Sequence, residues 1–75
     1  MAPALPRVTA KQIIGLIEKQ GFRLTRQSGS HKIYKNEAGR RVTVPFHAAK
    51  ILHPKTLKSI LKEADIDPKE LQNLL

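Results

Sequence analysis

The chain has 75 residues, with 14 Lys+Arg against 6 Asp+Glu, a formal net charge of +8 and no cysteine. A chain this short buries only about 60% of its unfolded surface, which limits it to one small core and one domain. It has no disulfide framework and no thiolate zinc site, in keeping with a reducing cytoplasm. No apolar run nears the ~20 residues of a membrane span, and Met1–Thr9 lacks the apolar stretch of a signal peptide. The expected location is therefore cytoplasmic, with no membrane partner. The charge is also unevenly spread. Residues 1–62 hold 13 basic side chains against Glu18 and Glu37, net +11, whereas residues 63–75 are net −3. A basic body of this kind suits a polyanion, and nucleic acid is the usual one.

In chain order, residues 1–8, with Pro3 and Pro6, read as a loose leader. Thr9 is placed to cap a helix. Ala10, Ile13, Ile14 and Ile17 recur at i, i+3, i+4, i+7 with Leu16 at the edge, while Lys11, Gln12, Glu18 and Lys19 lie opposite. That is an amphipathic helix, closed by Gly21.

Two strands follow, Phe22–Gln27 and His31–Asn36, joined through Ser28-Gly29 as a two-residue hairpin loop. Alternation in this register sets Leu24 opposite Ile33 and Arg26 opposite His31. A third strand, Arg41–Pro45, turns Val42 and Val44 inward. If Glu37–Arg40 form a four-residue loop, Ile33 meets Val44 on the covered face and Tyr34 points out. A three-residue loop with a glycine bulge would instead turn Tyr34 inward opposite Val42. The four-residue loop is the preferred expectation. It gives Arg26, His31 and Lys35 the parity of core residues, which is costly for charged groups. Either they sit beyond the covered area, or a bulge turns them round.

Phe46–His53 reads as a connector that buries Phe46, Ile51 and Leu52. Pro54 then opens a second helix near its first position. Its apolar stripe is Leu57, Ile60, Leu61 and Ala64, with Lys55, Lys58 and Lys62 on one flank. Asp67-Pro68-Lys69-Glu70 starts a short C-terminal helix carrying Leu71, Leu74 and Leu75. The expected fold is α+β, in the order α-β-β-β-α with a short extra helix. Three antiparallel strands carry both main helices on one face, which resembles the double-stranded-RNA-binding fold.

His31 is the sharpest candidate for chemistry. An imidazole is the side chain suited to take or give a proton near neutrality. RNA brings its own nucleophile, the 2′-OH, so one base and a cationic clamp suffice for in-line cleavage to a 2′,3′-cyclic phosphate. Arg26, Lys32 and Lys50 are candidates for the clamp. Lys55, Lys58 and Lys62 form either a phosphate track or a solvated face, and His47 follows the third strand close to His31. With only Phe22, Tyr34 and Phe46 as rings, readout of stacked bases is not expected. Clustered carboxylates and helical His spacing are both missing, so neither a metal site nor any cofactor is expected.

Several ordered motifs give the chain a family likeness. They are Gly21-Phe22, Arg26-Gln27-Ser28-Gly29-Ser30-His31, Val44-Pro45-Phe46-His47 with Lys50 and Leu52, and Thr56 through Ala64. Together they resemble the HicA toxin family from about Thr9 to Ile66, leaving 67–75 as a helical tail to a single domain over 1–75. The resemblance implies a small endoribonuclease of the mRNA-interferase type with the double-stranded-RNA-binding fold. It implies His31 as catalytic residue, messenger RNA as substrate and a HicB-type antitoxin as partner. The RNA-contacting set is then expected among Arg23, Arg26, Gln27, Ser30, Lys32, His47, Lys50, Lys55 and Lys58. The alternative is a non-catalytic RNA-binding module using the same surface. Two departures stand out. Pro54-Lys55-Thr56-Leu57 replaces the usual Lys-Gly-Thr-Leu, and Ala64-Asp65-Ile66 replaces Ala-Gly-Ile, removing an easy left-handed cap.

Overall fold

The computed structural model describes residues 5–47 and 50–75, so Met1–Ala4 of the expected leader and two positions of the connector lie outside the described residues. The elements run α1 (Ala10–Lys19), β1 (Arg23–Ser28), β2 (His31–Lys35), β3 (Arg41–Pro45), α2 (Pro54–Ala64), a 3-10 turn (Pro68–Glu70) and α3 (Leu71–Leu74). The strands form one antiparallel sheet in the order β1-β2-β3. This is the α-β-β-β-α arrangement read from the sequence, with the short helix at its end.

α1 begins with a capping box. The Thr9 hydroxyl accepts from Gln12 N–H at 3.2 Å, and Gln12 Oε1 accepts from Thr9 N–H at 2.8 Å. It ends in a Schellman pair, Phe22 N–H to the Ile17 carbonyl and Gly21 N–H to the Glu18 carbonyl, both 3.0 Å. The stripe that made α1 legible is buried as expected, and so is that of α2. Both stripes join Phe22, Tyr34, Val42, Val44 and Leu71 in one core on a single face of the sheet. Val8, expected in a loose leader, is 1% exposed; its carbonyl accepts from Leu52 N–H at 2.8 Å. Ile51, expected to be buried, is 51% exposed.

The strand register differs from the expected one in two places. The β1–β2 turn is Gly29-Ser30, with Ser28 opposite His31. Positive φ falls on Gly29 (58°) alone of the two central residues, the pattern of a type II′ hairpin turn. A bulge at Thr25 then shifts the ladder, pairing Arg26 with Ile33 and Leu24 with Tyr34. Between β2 and β3, Asn36 N–H donates to the Arg40 carbonyl at 3.2 Å, which leaves Glu37-Ala38-Gly39 as a three-residue loop. Gly39 has φ 84°, a conformation a side chain would strain. The three-residue loop therefore wins over the four-residue one, because a glycine stands where the left-handed residue is needed.

The consequence is a slip by one residue, which exchanges the faces of β2. Tyr34 is inward, 2% exposed and opposite Val42. Ile33 lies outside that core on the helix-free face, flanked by Arg26 and Thr43. Arg26, His31 and Lys35 thus point away from the helices, and the burial cost expected for them does not arise.

Candidate functional site

The helix-free face of the sheet collects polar and basic side chains from all three strands. At the turn end, Ser28, His31 and Pro45 form one cross-strand row. Arg26, Ile33 and Thr43 form the next. The far end carries Arg23, Lys35 and Arg41. No acidic residue occurs in any strand. His31 is exposed, and Arg26 is exposed one row away on the neighbouring strand. The imidazole can therefore meet a large ligand without rearrangement, beside fixed positive charge.

The end of β3 is tied to the turn through the main chain. Phe46 N–H donates to the Ser30 carbonyl at 2.6 Å, which continues the β2–β3 ladder past Pro45. Pro45 is the residue opposite His31. His47 and Lys50 are exposed just beyond and share a depression with Pro45, Leu52, His53 and Thr56. Lys50 N–H donates to the His47 carbonyl at 2.9 Å, which ties that pair together. Gln27 steadies the hairpin, its amide donating to the Gly29 carbonyl at 3.1 Å.

The remaining expected contacts divide by face. Arg23, Arg26, Ser30, His47 and Lys50 lie on the His31 face or at its turn end. Lys32 is opposite Val44, on the helix side of the sheet, and its ammonium stands 4.1 Å from the Phe46 ring centroid. This is a cation–π contact that holds Lys32 away from the His31 face. Gln27, paired with Lys32, shares that side. Lys55 and Lys58 are exposed on α2 in the helical layer, across the sheet from His31. They do not join the His31 cluster. Lys35 and Arg41 lie on the His31 face too, although neither is in the expected contact set. The left-handed Gly39 is the signal that puts Arg41 on the same face as His31.

His53, just before the Pro54 that opens α2, caps that helix. Its Nδ1 accepts from Lys55 N–H at 3.1 Å. Among the described residues no three His, Asp or Glu side chains converge in a metal-holding group. The C-terminus of α2 is clipped to the sheet from both sides. Arg40 Nε donates to the Glu63 carbonyl at 3.0 Å, and Glu63 Oε1 accepts from Thr43 N–H at 3.2 Å on the edge strand. A carboxylate there satisfies a main-chain donor that would otherwise invite strand pairing. No described helix is long and apolar enough to cross a membrane.

The model of the family described as the HicA toxin of bacterial toxin–antitoxin systems matches residues 10–66, from the start of α1 to the residue after the α2 cap. No curated protein matches the chain.

Proposed function

Because the chain belongs to the HicA toxin family of bacterial toxin–antitoxin systems, we propose that it is a metal-independent endoribonuclease that cleaves messenger RNA and so stops translation. The observation that carries the reading is the position of His31. It is exposed at the turn end of a helix-free, acid-free sheet face, one row from Arg26.

His31 moves the proton. The imidazole takes the proton of the 2′-OH as its oxygen attacks the adjacent phosphorus. The bond from phosphorus to the departing 5′ oxygen breaks, and that oxygen leaves with a proton from solvent. The products are a 2′,3′-cyclic phosphate and a 5′-hydroxyl end. Charge grows on the phosphoryl oxygens in the transition state, where a fixed guanidinium lowers the barrier. Arg26 is that group, with His47 and Lys50 contacting the strand at the Pro45 end. Proton transfer by a positioned histidine is worth roughly 10²–10⁴-fold.

Membership also supplies the partner, an antitoxin. We read the His31 face as the surface a HicB-type antitoxin covers, so that inhibition is exclusion of RNA. The substrate is met in the cytoplasm. Substrate chemistry tests the reaction class. With EDTA present, a single-stranded oligoribonucleotide should yield cyclic-phosphate ends. The same strand with 2′-deoxy sugars should stay intact. Cleavage of the deoxy strand, or a requirement for Mg²⁺, contradicts the mechanism.

A further inference from the structure

The row of the sheet farthest from the β1–β2 turn sets three cations side by side. Arg23 pairs with Lys35 and Lys35 with Arg41, and all three are exposed. Directly opposed residues bring their Cβ atoms to roughly 5 Å, where like charges destabilise a sheet. At the Arg23 end, Glu18 and Glu37 line a depression together with that arginine, and the Glu63 carboxylate is engaged by Thr43 N–H. An arrangement unfavourable in the free protein becomes favourable once an anion lies across it.

Geometry relates this row to the cleavage site. Lys35 and His31 are on the same face of β2, four residues apart, which is roughly 13 Å of strand. Arg26 and Ile33 lie between them, and no described helix covers the path. A polyanion bound at His31 and extended along this face meets the far row. Guanidinium and ammonium groups suit phosphate oxygens, the former through paired N–H donors.

We propose that the Arg23–Lys35–Arg41 row is a second phosphate subsite, gripping the single RNA strand a short run of nucleotides from the bond cut at His31. The proposal rests on the reading of the His31 face as the cleavage site. Contacts so far from the reacting phosphate hold ground state and transition state alike, so they act on KM and leave kcat nearly unchanged.

The test uses the full chain carrying Lys35→Gln and Arg41→Gln together, with Arg23 retained because of its carboxylate neighbours. On a single-stranded oligouridylate, KM should rise roughly tenfold with kcat within about twofold. In a His31→Ala background, affinity for the same strand should fall. Its salt slope should shrink by about 1.4, at roughly 0.7 per phosphate contact. Thermal unfolding should occur at the same or a higher temperature, since the like-charge row is relieved. An unchanged KM and salt slope, with His31→Ala still abolishing cleavage, overturns the subsite while the cleavage reading stands. Persistent cleavage by His31→Ala overturns both. Reduced binding of poly-glutamate with unchanged RNA binding overturns the subsite in favour of an acidic protein partner.

Discussion

The hydroxyl of Thr25 donates to the carbonyl of Ile33 at 3.1 Å across the β1–β2 ladder. Thr25 is the extra residue of the bulge, and this bond holds it there. The bulge lets Leu24 pair with inward Tyr34 while Arg26 pairs with Ile33 on the open face.

Replacing Thr25 by Val keeps the shape and removes the donor. A lost hydrogen bond of this kind costs about 1 kcal/mol. In a domain this small, that lowers the melting temperature by roughly 4–8 °C. Thermal denaturation followed by circular dichroism measures it, and an unchanged melting temperature means the hydroxyl does not hold the bulge.

Asp65 caps α2 in the left-handed conformation, φ 59° and ψ 42°, the one non-glycine with positive φ among the described residues. That conformation is costly for a residue with a Cβ, and an acidic group opposes the negative end of the helix dipole. Asp65→Gly should therefore stabilise the fold by about 0.5–1 kcal/mol, after allowing for the extra freedom glycine gives the unfolded chain. Denaturant titration should show a higher midpoint at an unchanged slope. A lower midpoint contradicts the argument.

Tyr34 carries a pH signature. Burial, then the nearby negative charge of Glu18, push its phenol above its ordinary value of 10.0. In the unfolded chain the phenol ionises near that ordinary value, whereas in the folded chain it holds its proton to higher pH. The unfolded state thus binds fewer protons above pH 10, so stability falls as pH rises from there toward the folded pKa. The comparison that isolates the phenol is with Tyr34→Phe. That variant should lose less stability between about pH 9 and 11 than the unaltered protein. Equal losses contradict the burial account.

The helices and the candidate catalyst were legible in the sequence, and the sheet faces were not. The stripes Ile13, Ile14, Ile17 and Leu57, Ile60, Leu61 carry a helical period that no other structure satisfies, and all six are buried. His31 stood out through its turn and its basic neighbours. Which way β2 faces depended on counting one residue in the Glu37–Arg40 loop, since the strand period is two and both parities offered an apolar set. Ile33 competed with Tyr34 for the inward place, and the larger ring took it opposite Val42. Glycine at 39 held the answer, because only the three-residue loop uses its positive φ. The same slip moved Lys32 to the Phe46 side and turned His31 and Lys35 together to the open face that Arg41 shares. Long-range clips such as Arg40 to Glu63 leave no periodic trace and could be found only in three dimensions.

The account turns on His31, and its exposure means that substitution there should leave the fold intact. The direct measurement is the single-turnover rate of oligoribonucleotide cleavage by His31→Ala against the unaltered protein, in EDTA. The account expects a loss of at least about 10²-fold, with affinity for the RNA changed only a few-fold. Cleavage at an undiminished rate would contradict it.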